Sequence, residues 1–314
     1  MRDSAMFAWY SIWAMENRLN FKIQGGLRLR GAIDINSSKN GAVALLCASL
    51  LNRGTTTLTH MPKIEEVKRI IEVLQSVGVS VEWHGGNVVI APPKKFLLSK
   101  IDRAAAEKTR SILMFTGALI HTHSSFALPQ AGGCKLGSRT VRPHVYALEK
   151  FGIEIETTER LWKIKRPARG LRAAEVVMYE SGDTATINAI LAAAGIPQKS
   201  VIKYASANYQ VQELCYFLQK IGISITGIGT TTLTILGKEQ IRENITYAVS
   251  EDPTDAMFFL AAAITTNSAI TIRRCPVDFI ELELLVLEKM GFKYKILKRY
   301  KGREGNINLV DIKT

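Results

Sequence analysis

One short phrase occurs four times along the chain: Leu74-Gln-Ser-Val-Gly78, Leu148-Glu-Lys-Phe-Gly152, Leu218-Gln-Lys-Ile-Gly222 and Leu287-Glu-Lys-Met-Gly291. Its glycines lie 74, 70 and 69 residues apart, so the chain divides into units of one design that stack to share cores. Each phrase reads as the last turn of an amphipathic helix, with glycine where a left-handed backbone is cheap. An alternating strand follows each glycine, as in Val79-Ser-Val81 and Ile223-Ser-Ile225. A hairpin partner comes next: His84-Gly85-Gly86-Asn87 turns the first unit into Val88-Val89-Ile90, and Gly227-Ile228-Gly229 leads the third into 232–235.

Ahead of each phrase lies an alanine-rich apolar helix and a short polar strand: 41–51 then 55–58, 112–120 then 125–128, 186–194 then 200–203, and 256–264 then 268–271. Each unit therefore runs helix, strand, helix, strand, strand. Such units predict an α/β architecture in which sheets pack around buried helices. One unit cannot bury both of its apolar helices, so several must assemble. The repeated glycine phrases themselves are scaffold.

Hydrophobic residues make up 47% and charged residues 22% of the 314, which fits a folded globular protein and excludes disorder. The net charge of +13 points to anionic partners. Nucleic acid is the weakest of these, because the one dense basic cluster, Lys293, Lys295, Lys298, Arg299, Lys301 and Arg303, alternates along a strand and hairpin as a solvated face does. Cys47, Cys134, Cys215 and Cys275 form no CxxC pair and have no histidine at metal-ligand spacing, so no metal is implied and a reducing, cytoplasmic setting fits. The apolar stretch 5–15 is shorter than the ~20 residues a spanning helix needs. Residues 1–15 read as a non-native or disordered extension, which leaves Met1 and Met15 as alternative starts, and no membrane partner is expected.

Candidate chemistry gathers at helix starts and glycine turns, where backbone N–H groups reinforce fixed cations. In Asn36-Ser37-Ser38-Lys39-Asn40, Ser37 or Ser38 caps the first helix and puts Lys39 and Asn40 in its first turn. A lysine there opposes the helix dipole, a conflict that a ligand anion would resolve. Arg110 opens the second unit's first helix, and Ser181-Gly182-Asp183-Thr184 opens the third's. In a threefold assembly these helix starts converge, so Lys39, Arg110 and Gly182 are expected to face one cleft. Between a strand and a helix, Gly132-Gly133-Cys134-Lys135-Leu136-Gly137-Ser138-Arg139 forms a loop able to close over a ligand, with a thiol whose pKa the flanking Lys135 and Arg139 would lower.

Lys39-Asn40 within Ile35-Asn-Ser-Ser-Lys-Asn-Gly-Ala42, the loop Gly132-Gly133-Cys134-x-x-Gly137-x-Arg139, and His144 ahead of Leu148-Glu-Lys-Phe-Gly152 resemble the UDP-N-acetylglucosamine 1-carboxyvinyltransferases, a branch of the enolpyruvyl transferase family in early peptidoglycan synthesis. The resemblance runs from about residue 19 to the end. It implies a fold of pseudo-threefold βαβαββ units, and a transferase that moves the enolpyruvyl group of phosphoenolpyruvate to the 3′-hydroxyl of UDP-N-acetylglucosamine with release of phosphate and without a cofactor. Carried over by position, Cys134 is the general acid at C3, Lys39 and Arg139 clamp phosphoenolpyruvate, and Asn40 and Arg110 contact the nucleotide sugar. Val141 lies in the segment that contacts uridine.

The family has six such units in two threefold domains, and four are expected here. Residues 37–250 would form a complete threefold domain, and 16–36 with 251–314 part of a second. The family's aspartate base and several arginines of the opposing domain have no counterpart in this chain. Thr140-Val141-Arg142-Pro143 stands where the family has Pro-Val-Asp-Leu, and a lysine of the family shortly before Gly182 is missing. Two alternatives to the transferase follow: a catalytically impaired homologue acting as a binding or interaction protein, or an enzyme with another nucleotide acceptor. A partial second domain also exposes apolar helix faces around 258–264 and 279–286, which predicts self-association or a partner chain supplying further units.

Overall fold

The computed structural model describes Lys22, residues 24–130 and residues 140–314. The proposed extension 1–15, Cys134 and Arg139 lie outside the described residues. Strand β1 (Arg30–Asp34) leads into the first unit: α1 (Lys39–Ala48) with a 3₁₀ turn at Ser49–Leu51, β2 (Thr56–Thr59), α2 (Glu65–Ser76), β3 (Ser80–His84) and β4 (Asn87–Ala91). After the short α3 (Arg103–Ala106), the second unit has a 3₁₀ turn at Arg110–Met114, α4 (Phe115–Leu119), β5 (Ser125–Pro129), α5 (Arg142–Glu149), β6 (Glu154–Thr157) and β7 (Leu161–Lys165). The third comprises β8 (Glu175–Val177), α6 (Asp183–Ala194), β9 (Lys199–Lys203), α7 (Tyr209–Lys220), β10 (Ser224–Thr226) and β11 (Thr232–Leu236). Strand β12 (Ile245–Ala248) precedes the fourth: α8 (Pro253–Thr265), β13 (Ala269–Pro276), α9 (Glu281–Lys289), β14 (Lys295–Lys301) and β15 (Asn308–Lys313).

The repeat glycines Gly78, Gly152, Gly222 and Gly291 all hold φ between 90° and 95°, where a side chain is strained, so the phrase is a helix stop by backbone sterics. The predicted helices and hairpins are present, with Gly85 and Gly86 alone joining β3 to β4. In the third unit, leading strand β8 runs parallel to β9, giving the order β10-β11-β9-β8. The first and fourth units exchange their leading strands. β1 pairs parallel with β13, across 239 residues, and β12 pairs parallel with β2. The second unit has three strands, β5-β7-β6.

Two apolar cores result. The larger draws on residues from Ala42 to Val249, and its center holds α1, α4 and α6, of which α6 buries Ala185 through Ala194. The smaller contains Ile35, Ala256, Leu260, Ile272, Ile280, Val310 and neighbours. The strand exchange makes the chain cross between the two bodies twice, near 35–38 and 249–252. These crossovers bind each other: Ser38 N–H donates to Ser250 O at 2.7 Å and Asp252 N–H to Asn36 O at 2.9 Å. Lys39 follows the first crossing directly. No helix among the described residues is long and apolar enough to cross a membrane.

Candidate active site

Ser38 caps α1, its hydroxyl accepting Gly41 N–H at 2.9 Å, so Lys39 and Asn40 begin the helix as expected. Asp252 joins two helix starts: one carboxylate oxygen accepts Lys39 N–H at 3.1 Å, and the other accepts Thr254 N–H of α8 at 2.8 Å. An anion shared by two helix N-termini is favoured by both dipoles. Asn40 Nδ2 donates to the Tyr209 hydroxyl at 3.0 Å, and the Tyr209 ring meets Phe279 edge-on at 6.1 Å, linking the larger body to the smaller.

The Lys39 ammonium is met by a group of this chain. Nζ lies 2.5 Å from Glu66 Oε2, and α1 has no acid of its own in its first turn. Glu66 Oε1 accepts the Ser111 hydroxyl at 2.7 Å and the Thr109 hydroxyl at 3.0 Å. Burial alone would raise the Glu66 pKa. Hydrogen bonds from Lys39, Ser111 and Thr109, with the Lys39 charge, overcome that and hold it below the usual glutamate value. Between the two hydroxyls stands Arg110, whose guanidinium donates to Thr140 O at 2.8 Å.

Lys39, Asn40, Glu66, Arg110, Ser111 and Thr184 line one cleft of about 420 Å³, so the starts of α1, of the Arg110–Met114 turn and of α6 open on a common space. Gly182 is not in its lining; it is the N-cap residue of α6, and Thr184 of the first turn faces the cleft instead. Val141 also stands off, packed half-buried against the larger core. Behind Thr184, His144 is buried between Asn188, whose amide nitrogen lies 3.2 Å from Nδ1, and the Thr184 hydroxyl 3.3 Å from Nε2. Burial, then the Arg110 charge, lowers its pKa to about 4, so it is neutral at physiological pH, accepting at Nδ1 and donating at Nε2. Lys39 lines a second cleft of about 620 Å³ with His60, Lys63, Asp252 and Arg303. It therefore stands where the two spaces meet. The loop 132–139, singled out in the sequence, lies outside the described residues.

A sequence profile of the family described as EPSP synthase (3-phosphoshikimate 1-carboxyvinyltransferase) matches residues 23–311. The chain belongs to the enolpyruvyl transferase family. Relatives of this family member include the UDP-N-acetylglucosamine 1-carboxyvinyltransferase of Bradyrhizobium diazoefficiens, 30% identical over 278 residues, 88% of this chain and 64% of that one. Another is UDP-N-acetylglucosamine 1-carboxyvinyltransferase 2 of Caldanaerobacter subterraneus subsp. tengcongensis, 30% identical over 275 residues, 88% and 65%. The chain thus spans slightly less than two thirds of these relatives' length. The enolpyruvyl transferase NikO from Streptomyces tendae superposes with a TM-score of 0.77 at 16% identity, covering 93% of this chain and 67% of that one. EPSP synthase from Acinetobacter baumannii does so with 0.66 at 16% identity, covering 91% and 64%. The enolpyruvyl transferase fold is therefore that of this chain.

Sequence reading of this family member did not single out Glu66, Asp252 or Tyr209, and in the stretch 181–184 it favoured Gly182 over Thr184. Glu65-Glu66 at the start of an amphipathic helix looks like ordinary dipole compensation. Only superposing the units' helix starts would have brought Glu66 toward Lys39.

Proposed function

We propose that the chain transfers the enolpyruvyl group of phosphoenolpyruvate to the 3′-hydroxyl of UDP-N-acetylglucosamine in peptidoglycan precursor synthesis, releasing phosphate. The observation that carries this reading is the convergence of Lys39, Asn40 and Arg110 on one cleft, in a chain whose relatives are named for that reaction. Lys39 and Arg139 hold the anionic groups of phosphoenolpyruvate, and Asn40 and Arg110 contact the nucleotide sugar. The sugar 3′-hydroxyl gives its proton to water as its oxygen bonds to C2, while the Cys134 thiol gives a proton to C3, which leaves a tetrahedral carbon and a thiolate. Return of a C3 proton to that thiolate, with loss of phosphate from C2, then restores the double bond in the product. Fixed cations lower the barrier because the charge on phosphate is already compensated where it leaves.

Val141 belongs to the acceptor side of this reading. Arg142 and Pro143 beside it open α5, and the changed residues there make a different nucleotide acceptor the alternative. The experiment is phosphate release by the purified chain with phosphoenolpyruvate and UDP-N-acetylglucosamine, beside Cys134→Ala and Lys39→Ala. The expected result is release that falls by about 10²-fold or more in each variant. Release unaffected by both substitutions refutes the assigned roles. Silence with this acceptor but turnover with another nucleotide sugar establishes the alternative.

A further inference from the structure

We propose that Glu66 is a positioning residue of this site: it fixes the Lys39 ammonium and locks the helix start carrying Lys39 to the one carrying Arg110, so that two cations from different units keep one spacing across the cleft. The inference deepens the reading above and rests on it for the identity of the ligand. Its basis is a division of labor between the two oxygens. Oε2 takes Lys39 Nζ at 2.5 Å, and Oε1 takes the hydroxyls of Ser111 and Thr109, on either side of Arg110, at 2.7 and 3.0 Å. Thr109 is committed further, since its hydroxyl also accepts Ser111 N–H at 3.1 Å and caps that turn. The local chain around Arg110 is thereby tied to a carboxylate of the first unit at two points.

Stability alone does not account for the arrangement. The Lys39 side chain is 45% exposed, and an ion pair of that exposure contributes at most about 1 kcal/mol. A lysine against a helix dipole, held by an acid from the next helix and facing a cleft, is instead what a site needs to receive an anion without first ordering its cation. A flexible lysine would lose its rotamer freedom on binding, whereas this one has lost it already.

The two oxygens can be tested separately. Glu66→Gln keeps an oxygen for Ser111 and Thr109 but turns an amide N–H₂ toward Lys39, where donor faces donor. Ser111→Ala keeps the ion pair and loosens the tie to Arg110. Both purified variants, checked for wild-type melting, are compared for phosphoenolpyruvate KM and kcat, and for labelling of Lys39 by limited reductive methylation with peptide mass mapping. Glu66→Gln is expected to raise Lys39 labelling about three- to tenfold and KM about tenfold, with kcat within about threefold. Ser111→Ala is expected to raise KM with Lys39 labelling unchanged. Unchanged KM in both variants overturns the proposal, even if labelling rises, because Glu66 is then only a counter-ion. If the wild type turns over no phosphoenolpyruvate, the transferase reading fails; labelling unchanged in Glu66→Gln then overturns the positioning role as well, and a rise upholds its Lys39 half.

Discussion

Glu213 is a side chain whose charge this fold accommodates poorly. It is buried on α7; Oε1 accepts Ser250 N–H at 2.7 Å, while Oε2 has no hydrogen-bond partner. Burial raises its pKa to about 7, against the Ser250 hydrogen bonds, and the negative charges of Glu251 and Asp252 push the same way as burial. An acid raised above its unfolded value of 4.5 binds more protons folded than unfolded between the two values, so stability falls as pH rises from about 4.5 to about 7. Glu213→Gln removes that slope. Its stability relative to wild type should therefore improve by about 2 to 3 kcal/mol between pH 5 and pH 8, read from urea midpoints at the two pH values. A difference that does not change with pH would show that Glu213 titrates in the folded protein as it does unfolded, so that burial does not raise its pKa. Sequence could not single out this residue, because its environment is assembled from α1, the second crossover and α7. Lys39, Asn40 and Arg110 were legible because a helix start announces itself locally through its cap.

At the scale of elements, the helices and hairpins of each repeat were readable because glycine stops and alternation are local signals. The exchange of β1 and β12 was not, since nothing within a short strand encodes a partner 239 residues away. The closeness of the central helices was also hidden. Gly117 of α4 donates its N–H to Asn188 Oδ1 on α6 at 2.7 Å, and Asn188 Nδ2 donates to Leu113 O at 2.9 Å. A Cβ at Gly117 would stand 2.4 Å from the Asn188 carbonyl oxygen, a backbone atom that cannot step aside. Helix propensity favours Gly117→Ala by about 1 kcal/mol, but the clash forces the helices apart, and a net loss of about 2 kcal/mol or more is expected. Guanidinium unfolding checks this: a variant as stable as wild type would mean that α4 and α6 do not cross so closely.

The whole molecule carries the consequence of repeating one design in unequal surroundings. Helix α6 has two like helices beside it and buries ten of its residues, whereas α8, equally apolar, buries only Pro253, Ala256, Leu260 and Ala263. Phe258 is 64% exposed, Leu282 69% and Met290 77%. Phe279, expected on the same bare face, packs against Tyr209 instead. An exposed apolar face of this kind marks an interaction surface, and a second copy of the chain is expected to cover it. Each copy carries +13, so the copies repel at long range and salt should strengthen their association by screening that charge. Contacts to a polyanion would weaken with salt instead. Light scattering over a concentration series should give a mass above that of one chain, rising with sodium chloride. Leu282→Glu and Met290→Glu, at positions that contribute little to the monomer core, should return the mass to one chain with melting unchanged. A wild-type chain that stays monomeric at high salt would rule out self-association through this face.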